Sequence, residues 1–267
     1  MSDILSLTGV SKRFHLGTPN EVAALRDVDF AVAAGDFVTI IGSNGAGKSS
    51  LLKAIAGIII PDAGSIVFDR RDITRTPLHR RAAAIGRIAQ DPNESTCAAM
   101  TIEENLAMAE RRGRMRGLRR AVTPAARTRF AAALAPIGLG LETRLASHVG
   151  TLSGGQRQTL ALLMATMAGA RLLLLDEHLA ALDPRTAATV MALTGRLVAE
   201  RSLTTLMVTH SMQDAIRHGN RLIMMHAGRI ILDIRDEAKA ALTVDALVAR
   251  FHEKGADMSE DRVLLAS

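Results

Sequence analysis

Short apolar runs separated by turn residues characterise the first seventy positions of the chain. The runs are rich in Val, Ile, Leu and Phe, which favour β-strands, and Ala34-Gly35-Asp36 marks a turn between two of them. This pattern predicts strands at residues 4–10, 22–32, 37–41 and 65–68.

The pattern becomes helical near residue 102. One more strand is predicted within residues 80–89, before Gln90-Asp91-Pro92, and residues from about 102 to 135 are rich in Ala, Arg, Glu and Met. Few of these positions are β-branched, and such a composition favours helices. We therefore expect a helical subdomain in this part of the chain.

Helices and strands alternate again from residue 160 onward. Residues 172–175 and 204–208 are apolar enough to form strands buried on both faces of a parallel sheet. Residues 221–225 and 229–232, joined by Ala227-Gly228, predict a hairpin, and the charged tail after Asp233 predicts helix.

Composition narrows the class of protein. With 267 residues, 48% of them hydrophobic, the chain can bury a substantial core, and its single cysteine, Cys97, excludes an intrachain disulfide. A reducing, cytosolic location fits that cysteine count.

The first residues lack the pattern of a signal peptide, and the longest apolar stretch, residues 160–175, is interrupted by Arg171. That stretch is shorter than the roughly 20 residues of a membrane span, so we expect no membrane crossing.

The net charge of +6 has two interpretations. The basic residues could bind an anionic partner, or they could reflect an Arg-rich composition without a special partner. The densest basic run, residues 111–120, could contact nucleic acid or lipid headgroups, but it contains no aromatic side chain on which bases could stack. A solvated surface is the preferred interpretation of this run.

A glycine-rich loop with a lysine follows the third predicted strand. It fits Gly-x-x-x-x-Gly-Lys-[Ser/Thr] and lies between an apolar strand and a helix-like segment, as a phosphate-binding loop does. Glycines let backbone N–H groups face phosphate oxygens, and the positive end of the following helix points to the same oxygens. Lys48 adds a charge for the outer phosphates, and Ser49 could ligate Mg²⁺. The loop consists of Gly42, Ser43, Asn44, Gly45, Ala46, Gly47, Lys48 and Ser49.

Two acids follow the strand predicted at residues 172–175. Ligands of open α/β sheets bind at the carboxyl ends of strands, so Asp176 is placed to hold Mg²⁺ through its water shell. Glu177 would orient or deprotonate the water that attacks a γ-phosphate.

A second potential anion site precedes this strand by about twenty residues. In Leu152-Ser153-Gly154-Gly155-Gln156, Ser153 is a predicted N-cap and the glycines expose backbone donors at the start of a helix predicted over residues 156–167. A capped helix with a glycine-rich entry and no ligand is the alternative.

The order of these motifs closely resembles the ATP-binding-cassette (ABC) ATPase family over essentially the whole chain. The resemblance implies an α/β fold: a P-loop NTPase core with an antiparallel N-terminal β-subdomain and an inserted α-helical subdomain. It also implies Walker A at residues 42–49 followed by Ser50, the signature at Ser153, Gly154, Gly155 and Gln156, and Walker B at residues 172–176. The remaining matches are Phe14 (stacking on adenine), Gln90 (Mg²⁺ and the lytic water), Glu177 (catalytic base), Asp183 (dimer-interface loop) and His210 (γ-phosphate switch).

Two positions depart from the family pattern. His178-Leu179 replaces the usual Pro-Thr/Ser after Glu177, and Ser50 replaces a threonine. Together with residues 17–21, the segment around His178 resembles a bacterial importer subgroup related to branched-chain amino-acid transporter ATPases and often labelled a tryptophan/tyrosine uptake system.

The resemblance implies the ATP-hydrolysing subunit of a complex that imports a small, amino-acid-like solute. ATP and Mg²⁺ are the implied cofactors. A homodimer would sandwich two ATP molecules, each between the phosphate loop of one copy and the signature helix of the other. Further implied partners are separate transmembrane permease subunits and a periplasmic solute-binding protein, but no nucleic acid. The implied location is peripheral, at the cytoplasmic face of the inner membrane.

Other functions within the family stay open. The catalytic motifs do not separate import from export or lipid handling. A role with nucleic acid is less favoured, because the chain has one set of motifs and no sustained heptads between Walker A and the signature. A non-catalytic scaffold is disfavoured by the intact Glu177 and His210. We expect one ATPase domain at residues 1–240, with the helical subdomain at about 91–158, and a short helical tail at 241–267.

Overall fold

The computed structural model describes residues 3–113 and 120–253. The strands in these residues are β1 (Asp3–Phe14), β2 (Val22–Ala33), β3 (Phe37–Gly42), β4 (Ala63–Phe68), β5 (Arg71–Asp72), β6 (Ile85–Ile88), β7 (Leu172–Asp176), β8 (Thr204–Val208), β9 (Arg221–His226) and β10 (Arg229–Arg235). The α-helices are α1 (Lys48–Ala56), α2 (Leu78–Arg81), α3 (Pro92–Ser95), α4 (Ile102–Glu110), α5 (Pro124–Leu134), α6 (Gly154–Thr166), α7 (Pro184–Arg201), α8 (Met212–Arg217), α9 (Asp236–Ala240) and α10 (Val244–Glu253).

The chain divides into two compact units. The first unit comprises residues 1–78 and 204–267, and the second comprises residues 79–203. The interior of the arginine-rich run (114–119) and the end of the C-terminal tail (254–267) lie outside the described residues. The domain boundaries expected from the sequence stay a prediction.

The first unit contains a four-stranded antiparallel sheet in the order β2-β1-β4-β5. Leu5 and Leu7 of β1 are buried and pair with apolar residues on both neighbouring strands. Strand β1 continues past the predicted end at residue 10, because Gly9 has a φ of 60° at a register shift between β1 and β2. A bulge of this kind lets a strand continue with its polar residues in a new register.

The first unit also contains the parallel strands β8, β3 and β9, with β10 antiparallel to β9. Strand β3 lies between β8 and β9, and its residues Val38, Ile40 and Ile41 are fully buried. The predicted β9–β10 hairpin and the predicted C-terminal helices are present. Helix α10 packs into one hydrophobic core with this sheet, formed by Ile41, Met212, Ala215, Leu222, Met224, Ile234, Leu242, Leu247 and Phe251.

The second unit combines the parallel pair β6–β7 with a helical region. The predicted helical segment contains α4, which begins with a capping box between Thr101 and Glu104, and α5, which begins at Pro124 after the N-cap Thr123. These caps satisfy backbone donors at the helix starts. The helical region has its own core, formed by Ile102, Leu106, Ala107, Ala126, Phe130, Leu134, Leu141, Val149, Leu152, Leu160 and Leu163.

No helix in the described residues has the combination of length and apolar character that a transmembrane segment requires.

A buried lysine joins α9 to the segment after α8 in the first unit. Lys239 is 2% exposed, and its Nζ donates hydrogen bonds to the carbonyl oxygens of His218 and Gly219, the latter at 2.9 Å. Burial lowers the pKa of Lys239 to about 8, because the charged ammonium loses water.

This lysine makes stability depend on pH. Its pKa is lower in the folded chain than in the unfolded chain, so folding favours the neutral amine. Below pH 8 the amine is protonated in both states, and the burial of its charge lowers the free energy of unfolding. We expect the difference in unfolding free energy between wild type and Lys239→Met to shift in favour of wild type as the pH rises from 7 to 10. Urea unfolding of both proteins measures this difference. Lys53→Met, which removes a half-exposed lysine of α1, is the control; a flat difference for Lys239→Met would refute the assignment.

Candidate nucleotide-binding site

The phosphate-binding loop joins β3 to α1 in the first unit. Helix α1 begins at Lys48, and its N-cap Gly47 has a φ of 98°. A Cβ atom at Gly42 would lie 2.1 Å from the carbonyl oxygen of Met225, and one at Gly47 would lie 2.3 Å from that of Ala24. Since neither distance can accommodate a side chain, backbone packing requires glycine at both positions.

Lys48 lies over this loop. Its side chain is 7% exposed, and its Nζ donates hydrogen bonds to the carbonyl oxygens of Gly42 (2.6 Å) and Ser43 (3.0 Å). The backbone N–H of Gly228, at the tip of the β9–β10 hairpin, donates to the carbonyl oxygen of Ala46 at 3.0 Å. The loop thus combines a helix N-terminus, a hydrogen-bonded lysine ammonium group and a tightly turned backbone. This arrangement is typical of phosphate-binding sites.

His210 lies at the same edge of the sheet as this loop. Strands β3 and β8 are parallel with Ile40 paired to Val208, so the residues that follow them emerge side by side. The backbone N–H of Thr209 donates to the carbonyl oxygen of Ile40 at 3.1 Å. The half-buried His210 directly follows, close to where β3 leads into the loop.

Phe14 ends strand β1 and is half-buried, so it is not a core residue. The Nζ of Lys12 lies 5.7 Å from the centroid of its ring. The residue is therefore partly accessible at the end of the strand, which is compatible with stacking on a base. Its contact with adenine stays a prediction.

The second unit brings together Gln90, Asp176 and Glu177. Strands β6 and β7 are parallel with Ile88 paired to Leu175, so the residues after both strands lie at one edge. Asp176 is 3% exposed, and Glu177 has a φ of 46°, in the left-handed region. The Nε2 of Gln90 donates a hydrogen bond to Oε2 of Glu177 at 2.9 Å. The amide of Gln90 therefore restrains the carboxylate of Glu177, which the sequence predicts to act on the attacking water.

His178, which departs from the family pattern, is a buried residue on the path to α7. It is 4% exposed, and its Nε2 lies 3.5 Å from Oγ1 of Thr194. The Thr194 hydroxyl donates its hydrogen to the carbonyl oxygen of Val190 at 2.9 Å, so it can only accept one from His178. The histidine thus replaces proline without leaving Nε2 unpaired.

Ser153 caps helix α6, as predicted. Its Oγ accepts from the backbone N–H of Gln156 (3.3 Å), and its own N–H donates to Oε1 of Gln156 (3.2 Å), which forms a capping box. The helix covers Gly154–Thr166, so the predicted start at residue 156 was two residues late and the predicted end one residue late. The cap includes both glycines in the first turn, which explains the earlier start.

The N-terminal ends of helices α6 and α7 lie close to each other. A Cβ atom at Gly155 would lie 2.2 Å from Cγ2 of Thr186. Asp183 is the N-cap of α7 and accepts a hydrogen bond from the backbone N–H of Thr186 at 3.1 Å. The hydrogen bonds from Thr186 lower the pKa of Asp183, so the cap is ionised at neutral pH. Asp183, for which the resemblance implies a place in a dimer-interface loop, therefore has a local structural role as the N-cap of α7.

Arg157 is a residue of this region that the motifs did not identify. Its guanidinium donates to Oδ1 of Asn93 at 2.7 Å and to the carbonyl oxygens of Val149 and Gly150. It thereby links the signature helix to α3, which follows Gln90. Its position directly after Gln156 is the only sequence signal that could have indicated it.

The described residues contain no group of three or more His, Cys, Asp or Glu side chains that could hold a metal ion.

Comparison with known proteins identifies the family. Residues 25–180 match the family model described as ABC transporter. The chain belongs to the ABC transporter family. A relative of this ABC protein, the tyrosine transport ATP-binding protein of Clostridioides difficile (strain R20291), is 41% identical over 250 residues, which are 93% of this chain and 98% of the relative. The aliphatic sulfonates import ATP-binding protein SsuB 1 of Burkholderia cenocepacia (strain HI2424) is 36% identical over 262 residues, 98% of this chain and 71% of the relative.

Solved ABC structures have the same fold. The ADP conformation of MJ1267, an ATP-binding cassette of an ABC transporter, matches with a TM-score of 0.77 at 26% identity, over 95% of this chain and 99% of that chain. The dimeric post-hydrolysis state of the cassette MJ0796, bound to ADP and Pi, matches with a TM-score of 0.74 at 28% identity, over 86% and 98% of the two chains. The predicted α/β P-loop NTPase fold and the predicted ATPase activity are confirmed: this ABC protein is a transporter ATPase.

The shape of the phosphate-binding loop gives a stability prediction. Gly42→Ala places a methyl group against the Met225 carbonyl, whereas Gly45→Ala, at a φ of 75°, meets nothing within 4 Å. We expect Gly45→Ala to cost about 1–2 kcal/mol of unfolding free energy for its left-handed backbone. Gly42→Ala should cost more than Gly45→Ala, because strain and overpacking add. Urea unfolding compares the two, and equal losses would show that the hairpin does not constrain the loop.

Proposed function

We propose that this ATPase energises the import of a small, amino-acid-like solute. The observation that carries this proposal is the match to a tyrosine transport ATP-binding protein over 98% of that protein's length. Other relatives are named as import ATP-binding proteins for sulfonates and for methionine. Aromatic amino acids are accordingly the first solutes to test.

The residues of the first unit are proposed to bind the nucleotide. The backbone of residues 42–47 and the ammonium of Lys48 would hold the phosphates, because both present hydrogen-bond donors at the start of α1. Ser49 and Ser50 would add hydroxyl groups at the same helix start. Phe14 would stack on adenine, and His210 would contact the γ-phosphate.

The residues of the second unit are proposed to activate water. Glu177 would accept a proton from the attacking water, and the hydrogen bond from Gln90 would hold its carboxylate in orientation. When Mg²⁺ is bound, it would neutralise phosphate charge; Ser49, Gln90 and Asp176 carry the oxygen atoms proposed to hold it or its waters.

The functional assembly is proposed to be a homodimer. Two ATP molecules would lie between the phosphate-binding loop of one copy and Ser153, Gly154, Gly155 and Gln156 of the other, with Asp183 at the dimer interface. The capped start of α6 supports this role, because its backbone donors and positive helix end suit an anion. Permease subunits in the inner membrane would bind the dimer at the cytoplasmic face, and a periplasmic protein would deliver the solute.

Replacement of the proposed base tests the catalytic assignment. Glu177→Gln keeps the shape of the side chain and removes its basicity, so ATP hydrolysis should fall by about 100-fold or more. ATP should still bind, and the variant should elute as a dimer with ATP on size exclusion. Glu94→Gln, which removes an exposed carboxylate paired with Arg87, should retain hydrolysis. Normal turnover by Glu177→Gln would exclude Glu177 as the base.

Reconstitution with the permease tests the direction of transport. Proteoliposomes with the ATPase facing outward and ATP added outside should move labelled tyrosine from the lumen, with the binding protein enclosed, to the exterior. This direction corresponds to import into a cell. ATP-dependent accumulation of solute inside the same vesicles would instead indicate an exporter, and Glu177→Gln should abolish either movement.

A further inference from the structure

Ser43 of the phosphate-binding loop faces a histidine from the neighbouring hairpin. Strand β3 is parallel to β9 with Gly42 paired to Met225, so the next residues, Ser43 and His226, are adjacent. Oγ of Ser43 lies 3.5 Å from Nδ1 of His226, and both side chains are half-buried. None of the family motifs includes His226.

The other side of His226 contacts the C-terminal helix. Its ring lies edge-on to the ring of Phe251 in α10, with 6.3 Å between the ring centroids and 77° between the planes. Phe251 is 1% exposed and belongs to the hydrophobic core that α10 forms with the sheet. Because such interiors are closely packed, a shift of α10 would displace the His226 ring.

Ser43 also contacts Lys48, the lysine that is proposed to bind phosphate. The carbonyl oxygen of Ser43 accepts a hydrogen bond from Nζ of Lys48 at 3.0 Å. Backbone contacts hold the loop at Gly42 and Ala46, and the Ser43–His226 contact adds a side-chain restraint between them. Continuous contacts therefore join Lys48, Ser43, His226 and Phe251, all within the first unit.

We propose that His226 is a positioning residue for the phosphate-binding loop, through which its contact with Phe251 of helix α10 influences the affinity for ATP. His226 does not donate to the phosphates itself; it holds Ser43, and thereby the carbonyl that orients Lys48. The proposal rests on nucleotide binding by this loop, and ATP binding by the wild-type protein tests that assumption separately.

Two substitutions separate the two contacts of His226. His226→Phe keeps a ring against Phe251 and removes the nitrogen that faces Ser43, whereas His226→Asn keeps a polar atom near Ser43 and removes the ring. We expect His226→Phe to raise the KM for ATP about three- to tenfold, the range for loss of one net hydrogen bond, with kcat within about twofold. His226→Asn should restore part of the affinity. Equilibrium binding of ATP should show the same order.

A double-mutant cycle tests whether the histidine acts through Ser43. In a Ser43→Ala background, His226→Phe should have little further effect on ATP affinity, because the contact is already lost. Independent, multiplicative effects of the two substitutions would overturn the proposal.

The contribution of helix α10 is tested with two substitutions in one core. Phe251→Leu removes the ring that contacts His226, and Leu247→Val thins the same core from the same helix. We expect the KM for ATP to rise with Phe251→Leu and to stay near wild type with Leu247→Val. The proposal would be refuted if the two variants changed the KM equally, or if the KM followed only the loss of thermal stability. His226 and Phe251 would then contribute only to packing.

Discussion

The close approach of the β9–β10 hairpin to residues 42–47 is the constraint on which the phosphate-binding loop depends. The carbonyl of Met225 occupies the space that a Cβ at Gly42 would need, and Gly228 donates to Ala46 from the hairpin tip. Only a residue without a side chain fits at Gly42, and the tight turn of the loop directs backbone donors and Lys48 to one place. The glycines are therefore as much a packing requirement as a chemical one.

Close packing and local hydrogen bonds also fix the positions of the proposed site residues in the second unit. Gly155 lets α6 start against Thr186 of α7, and the N-caps Ser153 and Asp183 fix both helix starts. The hydrogen bond from Gln90 restrains the carboxylate of Glu177, whose backbone is in the left-handed region, a conformation that costs free energy. The contribution of this unit to the carboxylate that is visible in the structure is therefore its position.

Local patterns predicted most of the elements and the motifs, because caps, turns and apolar runs depend on residues close in sequence. The Ser153 cap and the β9–β10 hairpin are examples. Long-range partners were not predictable in this way: Arg157 meets Asn93 across 64 positions, and His226 meets Ser43 across 183. The continuation of β1 past residue 10 was missed for a second reason, since the bulge at Gly9 changes the register without a change in composition.

The basic composition is explained in part by internal contacts of the arginines. In the second unit, Arg112 and Arg201 donate to the carbonyl oxygens of Met164 and Thr166 at the end of α6, where the helix dipole is negative. In the first unit, Arg221 is 2% exposed, binds Asp233 through two hydrogen bonds of 2.7 and 2.6 Å, and donates to the carbonyl of Ala31 at 2.5 Å. Guanidinium groups suit this use, because they stay charged and offer several donors in fixed directions. These arginines link elements within each unit, so a positive net charge does not by itself require an anionic partner.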